Sequence, residues 1–200
     1  MSSHHVVREQ QEPALLLLSP EDWNIPELPE LLEWVPTILA TEENILEVLS
    51  MGIKVDVVLA EPDYAKKNPD LAEEQFPLRF LPAKKTQYLS VGLDYLIQSG
   101  HAAVNVLPFN PAACSELDPY LADLDLVFFS NGHRYFPAKL GRLRKWLPQC
   151  SIQVLGEEGQ FVEHRSPEGS RIFPIRYLTS LELTEGMHAF SSNRLFWLGT

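Results

Sequence analysis

Three carboxylates occupy positions from which chemistry is readily built. Glu42 follows an apolar run at residues 37–40, and Glu61 and Asp63 follow another at 55–60. If these runs are neighbouring parallel strands, both acidic clusters lie at carboxyl ends, the edge of an open α/β sheet where ligands bind. Carboxylate oxygens gathered there suit Mg2+, a hard cation usually shared with substrate phosphates, so phosphoryl transfer is the chemistry they point to. The same residues also have a plainer reading. Thr41-Glu42-Glu43 makes an ordinary helix start, with acidic residues complementing the dipole, and Glu61 to Asp63 makes a solvated turn into Tyr64.

The surrounding text supplies the elements that would position them. Short apolar runs at 14–18, 37–40, 55–60, 78–81 and 103–107 have the character of strands buried on both faces. Ile45, Leu46, Val48 and Leu49 form a helical stripe ending at Gly52, and Leu89, Leu93, Leu96 and Ile97 form a second that Gly100 closes. Beyond residue 108 the pattern changes: 111–119 reads as a loop or short helix and 124–130 as a strand before Asn131-Gly132. Short β runs follow at 151–155, 160–164, 171–175, 178–183 and 195–198. The expected fold is α/β: an N-terminal three-layer parallel sheet of Rossmann-like type over 13–130, then a small antiparallel β module over 131–200.

Composition removes whole classes of function. Lys and Arg number 16 against 27 Asp and Glu, a formal charge of -11, which disfavours nucleic acid or an anionic membrane as partner. The run at 14–18 is too short for a signal-peptide core or a span. Cys114 and Cys150 form no C-x-x-C pair and read as buried reduced thiols, so a cytoplasmic location is expected. His4 and His5 read as part of a frayed terminus, and His101, His133, His164 and His188 have no ligand spacing and read as surface or satisfied structure. The sequence contains no G-x-x-x-x-G-K-[ST], G-x-G-x-x-G, H-E-x-x-H or G-x-S-x-G signature.

Residues 32–64 resemble the opening of the thiamin pyrophosphokinases, in which a strand ending in Asp-Gly-Gly and a helix precede Gly-Ile-Lys-Pro-Asp-Val-Val-Ile-Gly-Asp-Phe-Asp-Ser. Gly52-Ile53-Lys54, Asp56-Val57-Val58 and Asp63 match, and Glu61 replaces an Asp conservatively. Lys84 and the residues to 96 resemble the next block, Lys-Asp-x-Thr-Asp-x-x-x-Ala-Leu-x-x-Leu, and residues 100–107 resemble the turn and strand after it. The resemblance implies ATP- and Mg2+-dependent pyrophosphoryl transfer to the thiamin hydroxyl. Glu61 and Asp63 would be the catalytic carboxylates, Glu42, Glu61 and Asp63 the metal ligands, and Glu42 and Lys84 the nucleotide-side residues. It also implies a homodimer, with the β module contributing to the thiamin pocket.

The departures fall on the chemistry. Glu42, Glu43 and Asn44 stand at the Asp-Gly-Gly positions, so the small residues that admit a ligand to the backbone are gone. Ala60 replaces Gly, Tyr64 replaces Ser, Gln87-Tyr88 replaces Thr-Asp, and the family's later Gly-Gly-Arg-x-Asp-His has no counterpart in 108–120. A phosphoryl-transfer site works by positioning and charge neutralisation, so such losses lower the rate by orders of magnitude. The alternative is therefore an inactive relative that binds a nucleotide or thiamin-like ligand, or serves in assembly; a third is an unrelated α/β protein handling nucleotides or sugar phosphates. Lys139, Arg142, Arg144 and Lys145 make a basic island beside Trp146, suited to a phosphate or a partner's acidic face, or else to the polar face of a short helix. Trp146, Phe190, Phe196 and Trp197 suit either a cationic ligand or core packing.

Overall fold

The computed structural model describes residues 12–19, 28–176 and 178–200; His4 and His5 lie outside them. The chain divides into two compact units, the first running through Phe109 with Ala122–Leu126, the second comprising Asn110–Leu121 and Val127–Thr200.

In the first unit, β1 (Ala14–Leu17), β2 (Ile38–Thr41), β3 (Val57–Ala60), β4 (Arg79–Pro82) and β5 (Ala103–Leu107) form a sheet ordered β5-β1-β2-β3-β4. Every pairing in it is parallel; β1, β2 and β3 are buried throughout, as continuous apolar runs predict, whereas β4 is a partly exposed edge strand. Its helices are α1 (Leu28–Leu32), α2 (Ile45–Ser50), α3 (Tyr64–Lys67), α4 (Pro69–Glu74) and α5 (Tyr88–Gln98). α5 packs on β1 and β3 because Gly92 has no side chain: a Cβ there would lie 2.9 Å from Leu16 Cδ1 and 3.3 Å from Leu59 Cδ1. On α2, Ile45 and Val48 are buried, whereas Leu46, expected on the same stripe, is exposed. His101 is satisfied structure, its ring nitrogens 3.0 Å from Ser99 Oγ and Thr37 Oγ1, and burial lowers its pKa.

The second unit opens with a 3-10 stretch, Pro111–Tyr120, where a loop or short helix was expected. Its strands are β6 (Asp125–Ser130), β7 (His133–Pro137), β8 (Arg142–Leu147), β9 (Cys150–Leu155), β10 (Phe161–Ser166), β11 (Gly169–Pro174), β12 (Leu178–Leu183), β13 (Gly186–Ser191) and β14 (Trp197–Gly199). β12-β9-β14-β7-β6 and β11-β10-β13-β8 are antiparallel arrays. Ile152, Val154 and Leu198 from the first array share a core with Leu147, Val162 and Phe190 from the second. Phe190, Phe196 and Trp197 are core, whereas Trp146 is exposed. The basic island is a strand and not a helix face, because Arg142, Arg144 and Trp146 alternate with the more buried Leu143, Lys145 and Leu147 at the strand period of two. Cys114 and Cys150 are free and only half-buried.

Strand pairing joins two histidines that sequence spacing left apart. His188 Nε2 donates to Thr184 O at 2.8 Å, so its Nδ1 accepts from His164 Nε2 at 2.9 Å, and His164 Nδ1 accepts from Arg171 Nε at 3.2 Å. These bonds set which nitrogen of each ring donates and which accepts. Burial, helped by Arg171 and His188, holds His164 down to about 4. The unfolded chain takes up this proton below about 6.5, whereas the folded protein resists until about 4. Stability from this group is therefore complete above pH 6.5 and is lost as pH falls toward 4. Denaturant midpoints should fall as pH is lowered across that range, and His164→Phe should flatten the slope by close to one proton.

Candidate functional site

The carboxyl ends of β2 and β3 bring the two acidic segments together. Glu42 N donates to Leu59 O at 2.9 Å, extending the β2–β3 ladder by one residue past Thr41. The Glu42 carboxylate then turns toward β3, where Oε2 accepts from Glu61 N at 3.1 Å, while Oε1 accepts from Tyr88 OH at 3.1 Å. Burial and the neighbouring carboxylates Glu42, Glu43 and Glu61 raise the Tyr88 pKa, so its hydroxyl stays a donor. Glu43 pairs with Lys85, whose pKa that pair raises. Asp63 stands at the start of α3 and pairs with Lys66 at 3.5 Å, both exposed. Lys84 is exposed, and its carbonyl accepts from Gln87 N at 2.8 Å in the 3-10 turn before α5; Lys85 is the lysine that meets the acidic segment.

Asn44 is the residue whose part sequence reading missed. The helix start read at Thr41 falls instead at Asn44, which makes no side-chain cap. Its buried amide faces back into the sheet: Nδ2 donates to Leu17 O at 2.9 Å and Oδ1 accepts from Thr41 N at 2.9 Å. Thr41 Oγ1 reaches Leu18 O at 3.3 Å. The ends of β1 and β2 are thus tied by side chains.

Among the described residues the carboxylates are not gathered as a Mg2+ site. Both Glu42 oxygens already accept hydrogen bonds, Asp63 faces Lys66, and among the described residues no three His, Cys, Asp or Glu side chains gather as a metal-ion set.

The second unit contains a hollow of about 430 Å3, bordered by Cys114, Asp118, Glu157, Gln160, Arg194 and Trp197. The Trp197 indole donates to the Asp118 carboxylate, which burial nonetheless raises above its ordinary pKa. Arg194 and Glu157 pair at the rim, and burial and Asp118 push the Cys114 thiol up to about 11. Gln160 Oε1 accepts from Glu157 N at 3.2 Å and Nε2 donates to Ser192 Oγ at 2.9 Å, fixing the far wall. With one ion pair cancelled and the thiol neutral, the uncompensated charge is Asp118.

A parallel α/β sheet unit combined with an antiparallel β module defines a two-part α/β architecture. That architecture is the fold of the thiamin pyrophosphokinases. The thiamine pyrophosphokinase of Bacillus subtilis superposes with a TM-score of 0.68 at 11% identity, covering 95% of this chain and 99% of that one. The enzyme of Geobacillus thermodenitrificans gives 0.67 at 13% identity over 94% and 96%, and that of Candida albicans 0.65 at 8% over 93% and 88%. No family model matches the sequence, and no curated protein matches it. Among the described residues no helix is long and apolar enough to cross a membrane.

Proposed function

We propose that this protein is a non-catalytic relative of the thiamin pyrophosphokinases that binds a thiamin-like organic cation without transferring pyrophosphate to it. One observation carries the reading: Glu42, the strand-end carboxylate best placed for a metal, has both oxygens engaged by Glu61 N and Tyr88 OH. Tyr88 stands where the sequence resemblance has an Asp, so a hydrogen-bond donor replaces a second metal-side carboxylate. The buried Asn44 side chain stands where that pattern has Gly and fills the approach to the backbone. Positioned charge is what phosphoryl transfer depends on, and here Glu42 is held by two hydrogen bonds while Glu43 and Asp63 are paired with Lys85 and Lys66.

The ligand side of the proposal rests on the hollow in the second unit, whose size falls within the ~300–1,000 Å3 range of small-molecule sites and whose uncompensated charge is Asp118. A small cation is the complement of that charge, and the fold shared with thiamin pyrophosphokinases favours thiamin as the probe. Calorimetric titration with thiamin should give saturable binding that Asp118→Asn weakens by about tenfold, about 1.4 kcal/mol. Absence of binding at millimolar thiamin, or equal affinity in Asp118→Asn, would overturn the ligand assignment.

A further inference from the structure

The basic island of the sequence lies on β8, the terminal strand of the order β11-β10-β13-β8. β13 pairs with it along the whole run from Arg142 to Leu147. On its other side, no backbone hydrogen bond reaches Arg142–Leu147 among the described residues, so alternate N–H and C=O groups form an open edge. An extended chain can add to such an edge as a further strand, with main-chain bonds giving affinity and alternate side chains giving specificity.

The side chains along that edge define what it selects. Arg142, Arg144 and Trp146 are exposed and share the outer face of the strand, while Lys145 turns inward with Nζ 3.7 Å from the Phe136 ring centroid. Strand register aligns Arg144, Ala189 and Arg165 in one row and Arg142, Ser191 and Glu163 in the next, with a depression of about 500 Å3 among them. Glu163 is balanced by Arg165 Nε at 2.7 Å and by the hydroxyls of Ser170 and Ser191 at 3.3 Å each. Arg142 and Arg144 are therefore left as uncompensated positive charge in a chain of net charge -11. At the end of the row, Trp146 is 52% exposed and lies opposite Met187, itself 43% exposed, an apolar corner of the kind that anchors interfaces.

A second copy of this chain is a poor occupant, because β8 against β8 brings two strands each carrying Arg142, Arg144 and Lys145 side by side, and like charges across strands destabilise. Nucleic acid is opposed by the acidic remainder of the chain. We propose that β8 is the docking edge for an extended acidic segment of a protein partner. The segment adds beside β8 with carboxylates on alternate residues, about 6.6–6.8 Å apart, opposite Arg142 and Arg144, and an apolar side chain at Trp146.

Titration of the full chain with the peptide Ac-Leu-Thr-Glu-Val-Glu-Thr-NH2 tests this, with Ac-Leu-Thr-Lys-Val-Lys-Thr-NH2 as its charge-reversed counterpart. The wild-type protein should bind the glutamate peptide and not the lysine peptide. Arg142→Glu combined with Arg144→Glu should weaken the glutamate peptide at least tenfold and allow the lysine peptide to bind, with an unchanged melting curve because both positions are exposed. N-methylation of alternate amides in the glutamate peptide should abolish binding to the wild type, a readout that does not depend on any variant folding. The proposal is overturned by no binding at millimolar peptide, by equal affinity for the two peptides, by tight binding of the N-methylated peptide, or by stronger binding of an oligodeoxynucleotide of matched charge.

Discussion

Asn44→Ala should destabilise the protein by about 2–6 kcal/mol, although a single carboxamide is removed and no large cavity results. The side chain is fully buried, and its two hydrogen bonds hold the Leu17 carbonyl and the Thr41 amide. Alanine leaves both backbone groups without their partners in the sheet interior, at about 1–3 kcal/mol for each unsatisfied group. The Asn44 amide N also donates to Thr41 O at 3.1 Å, so the turn from β2 into α2 is built around this residue. Asn44→Asp retains the acceptor for Thr41 N but sets a carboxylate against Leu17 O, and should be no better tolerated. Urea unfolding with unchanged slope checks both variants; a loss below about 0.5 kcal/mol, the scale of an ordinary surface substitution, would mean that the strand ends are not held this way.

Gly141→Ala should be comparably severe, for a different reason. Gly141 has φ +68, and a Cβ there would lie 2.3 Å from Ser192 O and 2.8 Å from Arg194 O, both main-chain atoms. The same turn is pinned by Ser192 N donating to Gly141 O and Gly141 N donating to Ala138 O, each at 2.8 Å. Left-handed backbone at a residue with a side chain costs roughly 1–2 kcal/mol, and forced overpacking roughly 1–3 kcal/mol, so the total falls at about 2–5 kcal/mol. Because this turn launches β8, the variant should also lose the acidic-peptide binding proposed for that edge. A thermal midpoint equal to wild type would show that the turn has room to move.

The parallel half of the fold was legible because strands buried on both faces leave continuous apolar runs, and their order along the chain follows the alternation with helices. Adjacency of the segments holding Glu42 and Glu61 could be read from that alternation, and Glu61 N lies 3.1 Å from Glu42 Oε2. Side-chain direction could not be read. The helix start was read at Thr41, yet Asn44 precedes the helix and turns its side chain inward to the sheet, and Tyr88 reaches Glu42 across 46 positions of sequence because α5 lies over β1 and β3. Lys85 rather than its neighbour Lys84 meets the acidic segment, a choice set by the short 3-10 turn before α5. In the β module, β7, β8 and β13 escaped notice because charged and aromatic residues alternate there without an apolar run. Period two in Arg142–Leu147 was the available signal, and the cluster of positive charge obscured it.

Thiamin diphosphate, measured after incubation of the protein with thiamin, ATP and Mg2+, tests most directly whether the strand ends still support transfer. No product above a protein-free blank is expected, however much protein is added, while thiamin itself binds. Product that rises in proportion to protein and disappears in Glu42→Gln would contradict that expectation, since a carboxylate held by Glu61 and Tyr88 would then be serving the reaction.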